Sequence, residues 1–578
     1  MKAKLIPTAL FLILTSTITA QSKMDSAVVM LIKNPAHNIE QSKKIDDVYL
    51  LAKVWGLLKY FHPQIASGKY NWDNELIDFL PGYSRIKTKK ERSDSLEAWI
   101  DRFGIVEECK SCNDSLLKDA VLAPDFNWIN DNNFSKQLVS KLQYVIRNRK
   151  QGDQYYVKFF RADDIIEPIF QHENTYPKMT FPADVYSLLS LFRFWNAIEY
   201  WYPYKHGMPV SWDNVLKQFI PKMISRDNLE QYTLSVEELA TALHDSHGTV
   251  QSFKLMDMNR YCMPFTVKIV QQKAFVTSIL NDSLAEKAEI QTGDIIESIN
   301  DISIDRLMND LIPVVPASTK GSFMSIIPYH IVLTGKDQVV LKIRRKGEEK
   351  ECRVNNFIPK KKMNLAPPYF SLQKDSAFCM LSNNIGYINM GNLNRKDSIL
   401  FREMITKTNG LIIDSRQGCD EEGTGAVDLI ANLILPPGTT FLKYSFAQPA
   451  YPGVFSYTAP TNMGMDGSGN YYNKNIVILA NEETMSVGEL LTMIFRKAPR
   501  AIVMGNTTAG ADGNTNYIKL PCGIIILFTG LGVYYPDGKE TQRIGIKPDI
   551  FVKQTLAGYQ EHKDEILEKA VEYLKAKQ

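Results

Sequence analysis

An apolar run from Ile476 to Ala480 has the length and composition of a buried strand. It leads through Asn481-Glu482-Glu483-Thr484-Met485-Ser486-Val487-Gly488-Glu489 into a segment with Leu490, Leu491, Ile494 and Phe495 at helical spacing. Ser486 is thereby expected at a helix N-terminus, where unsatisfied amides and the helix dipole favour an anion. A hydroxyl so placed suits nucleophilic acyl transfer if a base can take its proton. Imidazoles stand far upstream, in Leu243-His244-Asp245-Ser246-His247-Gly248-Thr249. His247 is one imidazole that could take the Ser486 proton during attack and return it to the leaving group. His244 competes for that role, and Ser246 and Thr249 are expected to orient or pack. The plainer reading of Ser486-x-x-Glu489 is a capping box, in which the serine only ends a helix.

Charge developing on an attacked carbonyl needs donors. The Val487 amide is one candidate. The segment Leu411-Ile412-Ile413-Asp414-Ser415-Arg416-Gln417-Gly418 places a polar, glycine-containing turn at a strand's carboxyl end, and the amide of Gly418 or Cys419 is the second candidate.

Several elements must position these residues. Beyond residue 384, apolar runs at 386–390, 410–414, 476–480, 501–505 and 524–528 alternate with helical segments, an α/β layer pattern expected over 380–575. Residues 263–356 read instead as short β segments, at 265–270, 274–279 and 339–343. Between the second and third, residues 283–300 run from a short helix through Gly293-Asp294 into a strand. This stretch resembles a PDZ domain, which binds an extended peptide by adding it to a sheet edge. Residues 307–334 look like an insertion relative to a minimal domain of that kind.

The first half carries an internal duplication. WGLLKYFHP at 55–63 returns as WNAIEYWYP at 195–203, and Trp72-Asp73-Asn74 returns as Trp212-Asp213-Asn214. The spacings from 55 to 195 and from 72 to 212 are both 140 residues. One helical module is therefore expected twice, at 40–183 and 184–260, with only the second copy carrying the histidines. Its aromatic residues read as core, with a peptide-lining groove around Tyr200–Tyr204 as the other possibility.

The serine segment, Asp414-x-Arg416, Gly505-Asn506-Thr507-Thr508-Ala509-Gly510-Ala511-Asp512-Gly513-Asn514, Gly532-Val533-Tyr534-Tyr535-Pro536-Asp537-Gly538 and Gly545-Ile546-Lys547-Pro548-Asp549-Ile550 occur in this order after the PDZ-like stretch. The set resembles the tail-specific (C-terminal-processing) serine peptidases, in particular their tricorn-like branch, over about residues 240–575. The resemblance implies an α/β, crotonase-like catalytic core with an inserted PDZ β-domain, following the duplicated helical module. It implies Ser486 as nucleophile and Ser246-His247 as the branch's Ser-His pair, with His247 the general base. The alternative lysine base of the family is disfavoured. Ala511 and Asp512 occupy its neighbourhood, and Lys497 lies roughly 16 Å along the helix from Ser486 at 1.5 Å per residue. The glutamate that orients the histidine in the branch is replaced by Gln542, with Glu540 two residues earlier. The expected activity is peptide-bond hydrolysis through an acyl-enzyme on Ser486, without cofactor or metal, on polypeptides captured by the PDZ-like groove. A catalytically silent, PDZ-containing peptide-binding protein of the cell envelope is the alternative.

Lys2, Lys4, an apolar stretch to Leu14 and Ile18-Thr19-Ala20 have the layout of a secretory signal peptide over 1–20, so a periplasmic or secreted protein without stable membrane insertion is expected, with a signal anchor as the alternative. A formal charge of +3 arises from 67 basic and 64 acidic residues mixed along the chain, which argues against nucleic acid as a partner. The seven cysteines form no framework. Only Cys109 and Cys112 are close enough in sequence for a local disulfide, and free thiols are the alternative.

Overall fold

The computed structural model describes residues 38–162, 165–360, 376–393, 398–419, 421–464 and 471–578. The expected signal peptide lies outside them. No described helix is long and apolar enough to cross a membrane.

Helices α1 (Asn38–Phe61), α2 (Trp72–Tyr83) and α3 (Lys89–Asp101) correspond to α4 (Asp184–Trp201), α5 (Trp212–Ile224) and α6 (Leu229–Thr241). The correspondence extends to single hydrogen bonds. Trp55 Nε1 donates to Trp72 O at 3.2 Å and Trp72 Nε1 to Trp55 O at 3.0 Å. Trp195 and Trp212 exchange the same bonds at 2.7 and 2.9 Å. Each pair of indoles stacks nearly parallel, with centroids 6.3 and 6.4 Å apart. The helix starts match as well. Asn71 and Ser211 accept from the amides of Asn74 and Asn214, and Thr88 and Asn228 cap α3 and α6. Each cap satisfies an amide that the helix itself leaves open. Tyr200, Trp201, Tyr202 and Tyr204 are buried in the core shared by both copies, so they line no groove.

The second copy runs directly into strand β1 (Thr249–Gln251) and then into an antiparallel sheet of β2 (Phe265–Val270), β3 (Lys273–Ile279), β4 (Ile295–Ile299), β5 (Val339–Arg345) and β6 (Glu348–Val354). The spatial order is β6-β5-β4-β3-β2, which leaves β2 at an edge. α7 (Asp282–Lys287) follows β3, and the turn into β4 uses Gly293 at φ 99°, a conformation that costs glycine little. The adjacent Asp294 carboxylate accepts from the Gln291 amide at 2.8 Å and from Arg345 through two bonds of 2.7 Å. The stretch 307–334 contains α8 (Lys320–Val332), which packs beside β2.

The strands of the second half that bear on the site are β7 (Phe378–Leu381), β8 (Ile385–Asn389), β9 (Gly410–Asp414), β10 (Ile476–Ala480), β11 (Ala501–Gly505), a hairpin of β12 (Thr515–Leu520) and β13 (Ile524–Thr529), and β14 (Ile550–Phe551). All but the hairpin, which forms a separate sheet with β1, belong to one mixed α/β layer. β8, β9, β10, β11 and β14 are parallel neighbours in that order, and β7 joins antiparallel at one edge. Every residue of β8, β9 and β10 is buried, as a parallel sheet covered on both faces requires. One face carries α9 (Val487–Phe495) and the other α10 (Glu565–Ala576). The second helical copy does not end as a separate body. β1 pairs antiparallel with β13, Thr249 opposite Leu527 and Val250 opposite Ile526, which ties the histidine segment to the α/β half.

Because the two tryptophan pairs are equivalent, Trp55→Phe and Trp195→Phe should destabilise the protein by similar amounts. About 2–4 kcal/mol is expected from one orphaned carbonyl plus a small void. Chemical denaturation of both variants checks this.

Candidate active site

β10 delivers the chain through 481–485 to Ser486, which sits at the N-terminus of α9 with φ 56° and ψ −118°. A non-glycine residue in that region costs of order 1–3 kcal/mol. The Ser486 hydroxyl makes no capping bond to the helix. Glu489 does not reach back to complete a capping box either. Its carboxylate is fully buried and accepts from the Thr508 hydroxyl, the Gly510 amide at 3.1 Å and the Ala511 amide at 2.8 Å. The capping-box reading therefore fails. The geometry is a tight strand-to-helix turn with a serine at positive φ, as nucleophile elbows have.

Two further motifs brace this turn. The Ser486 amide donates to Ala511 O at 2.8 Å, and the Ala509 amide donates to Thr484 O at 2.9 Å. The Thr508 hydroxyl accepts from the Ile546 amide at 2.6 Å. Gly545 is left-handed there (φ 73°), and a Cβ on it would lie 2.4 Å from Thr508 O, so only glycine fits. At the end of β9, Arg416 binds Asp414 at 2.8 and 2.6 Å and Asp564 at 3.1 and 2.7 Å, all buried. That network pins the turn carrying Gly418 to the start of α10. A Cβ on Gly418 would come 3.2 Å from the Gly488 amide nitrogen, so this turn packs directly on the helix start. The Gly418 amide itself donates to Ser415 O at 3.2 Å.

His247 is buried and His244 is exposed, at a left-handed φ of 48°. The β1–β13 pairing, continued by two residues, sets His247 opposite Thr529, and His247 Nδ1 lies 2.9 Å from Thr529 Oγ1. Thr529 Oγ1 donates to Asp245 Oδ1 at 3.0 Å, and its amide donates to Asp245 Oδ2 at 2.9 Å. The His247 amide also donates to Asp245 Oδ1, at 3.0 Å. His247 Nε2 is buried with no hydrogen-bond partner among the described residues. Burial pulls the imidazole pKa below its ordinary value, with Asp245 pulling the other way. Ser246 fastens this loop to the start of α8. Its hydroxyl donates to Ser322 Oγ at 3.0 Å and accepts from the Ser318 amide at 2.8 Å, and its own amide donates to Ser318 Oγ at 2.8 Å.

Gln542 and Glu540 do not orient the imidazole. Gln542 Oε1 accepts from the Asp512 amide at 3.4 Å, and its buried Nε2 has no partner among the described residues. Glu540 pairs with His206 near the surface. The residues that the sequence reading missed are Asp245 and Thr529. The first sits two positions before the histidine, and the second follows an apolar strand with nothing local to mark it.

Two hydrogen-bonded routes lead from the histidine loop to the serine turn. Along one, the Gly530 amide, next to Thr529, donates to Asn514 O at 2.7 Å in the loop that holds Ser486 through Ala511. Along the other, α8 carries Ser325, whose hydroxyl donates to Glu482 O at 3.4 Å. Two clefts flank α8. One, of about 470 Å³, lies between edge strand β2 and α8 and reaches Asn481, Glu482 and Glu483. The other, of about 690 Å³, is lined by His244, Met308, Ile312, Val315 and Phe323.

Residues 384–552 match the family described as Peptidase family S41. A probable CtpA-like serine protease of Staphylococcus aureus is 23% identical over 279 residues, which are 48% of this chain and 49% of that protein. The Staphylococcus epidermidis counterpart is 22% identical over 282 residues, 48% of this chain and 50% of that protein. The chain thus spans about half the length of the curated relatives it matches. The solved structure of mature CPAF complexed with lactacystin superposes with a TM-score of 0.54 at 15% identity, covering 68% of this chain and 99% of that one. The carboxyl-terminal half is a mixed α/β layer. Within it, residues 384–552 are similar to peptidase family S41.

If the Ser486 backbone is strained for function, Ser486→Gly should raise stability. A net gain of about 1 kcal/mol is expected once the extra freedom of glycine in the unfolded chain is subtracted, whereas Ser486→Ala should change little. Equilibrium unfolding of the two variants distinguishes them. A second expectation concerns acids behind the turn. Burial pushes Asp512 up to about 7, and burial together with Asp512 pushes Glu489 up to about 8. Both folded values exceed the unfolded ones, so the stability these groups contribute is complete below about pH 4 and is lost as pH rises through 7 to 8. Asp512→Asn should flatten the fall in melting temperature between about pH 5 and pH 8.

Proposed function

We propose that this chain is a serine endopeptidase in which Ser486 is the nucleophile and His247 the general base. The observation that carries this reading is the strained Ser486 at the start of α9, whose hydroxyl caps nothing. His247 Nε2 takes the Oγ proton as Oγ attacks the scissile carbonyl carbon. The tetrahedral oxyanion is held by the Val487 amide and by the Gly418 amide, which exchanges its bond to Ser415 O for the developing charge. The C–N bond then breaks as the imidazolium protonates the leaving amine. Water, deprotonated by His247, hydrolyses the acyl-enzyme in the same way.

The sheet β2–β6 with α7 and α8 acts as the PDZ-like module, inserted between the histidine segment and a crotonase-like core. A polypeptide substrate adds to the open edge of β2 in the cleft beside α8, which leads to the segment before Ser486. Action outside the cytoplasm is supported by the leader-like residues 1–20 and by the Cys109–Cys112 disulfide, which suits an oxidising compartment.

A fluorophosphonate probe should label the purified protein, with labelling absent in Ser486→Ala, nearly absent in His247→Ala and retained in His244→Ala. Because burial lowers the His247 pKa, kcat/KM should rise with pH through an apparent value below the ordinary ~6.5 and be flat at neutrality. Labelling that survives Ser486→Ala, or protein that binds unfolded chains and never cleaves them, would defeat the proposal.

A further inference from the structure

Building on the Ser486–His247 reading, we infer that Asp245, acting through the Thr529 hydroxyl, is the group that orients His247, in the role that the family resemblance gives to position 542. The direction of the hydrogen-bond chain follows from the donors. Asp245 Oδ1 accepts from the His247 amide and Thr529 Oγ1, and Oδ2 accepts from the Thr529 amide and, at 3.4 Å, from the Tyr202 hydroxyl. Both carboxylate oxygens are thus acceptors. Thr529 has one hydroxyl proton, and it is directed at Asp245, so its remaining capacity is to accept. The 2.9 Å contact with His247 Nδ1 must then be an Nδ1–H donating to Thr529. That places the imidazole proton on Nδ1 and leaves the buried Nε2 with its lone pair free, the state a base needs.

The threonine cannot be bypassed. Asp245 Oδ1 is 4.0 Å from Nδ1, beyond hydrogen-bond distance, while its charge is still close enough to favour the imidazolium that forms as Ser486 is deprotonated. Asp245 and Thr529 are positioning residues, since neither touches the reacting atoms. Gln542, bonded to the Asp512 amide, contributes nothing to the ring's orientation.

The direct test uses wild-type protein labelled with ¹⁵N-histidine. The His247 resonances, assigned by their loss in His247→Ala, should show a protonated Nδ1 and an unprotonated Nε2 at neutral pH. The opposite tautomer would overturn the inference. The kinetic test is Thr529→Val, which keeps the shape and removes the acceptor. It should lower kcat on the order of 100-fold with little change in KM, and move the acid limb of the pH profile to lower pH. Thr529→Ser should restore most of the activity. Unchanged kcat and an unmoved limb in a folded Thr529→Val, with Ser486→Ala and His247→Ala inactive, would refute the relay alone. Activity independent of Ser486 or His247 would instead refute the catalytic reading beneath it.

Discussion

The site depends on holding one serine in a backbone conformation that serine resists. At φ 56° and ψ −118° Ser486 departs from the path of an ordinary helix cap, and its hydroxyl makes no capping bond to the first turn of α9. The cost, of order 1–3 kcal/mol, has to be offset by surrounding contacts. The Ala511 carbonyl takes the Ser486 amide, and Glu489 collects three donors from the loop containing Ala511, so helix and loop cannot shift independently. A buried carboxylate bound in this way is worth more as a brace than as a cap, because leaving it or its donors unpaired in the interior would cost several times a net hydrogen bond.

The same logic explains why motifs spread over the chain occur together. Gly545 lets the Ile546 amide reach Thr508, Arg416 ties the β9 turn to α10, and each fixes a segment in contact with the Ser486 turn. The histidine arrives from outside the α/β layer, on a duplicated helical module. Its first copy has Ile105, Val106 and Glu107 in the corresponding loop, followed by the Cys109–Cys112 disulfide. Two equivalent scaffolds with equivalent tryptophan pairs thus end differently, and only the second is joined through β1 to β13.

Much of this was legible from local pattern. The apolar runs at 410–414, 476–480 and 501–505 are strands with those limits, since parallel strands that are wholly or mostly buried leave uninterrupted hydrophobic stretches. The repeat was legible because large aromatic residues at fixed spacing tolerate little change in a packed core. The surroundings of His247 were not legible. Its partner Thr529 lies 282 residues away and is brought alongside by strand pairing, which no local periodicity encodes. Asp245 was hidden differently, since a carboxylate two residues from a histidine gives no sign that it acts through a third side chain. Ser486-x-x-Glu489 misled in the opposite direction, because a capping box and a braced elbow share the same residues and differ only in backbone angles.

The central claim is that Ser486 forms a covalent acyl intermediate. It is tested most directly by mixing the protein with an activated peptide ester, quenching in acid at short times, and measuring intact mass followed by peptide mapping. The account predicts a transient mass increase equal to the acyl group, located on the peptide containing Ser486. Turnover of the ester with no adduct at any time, or an adduct on another residue, would contradict it.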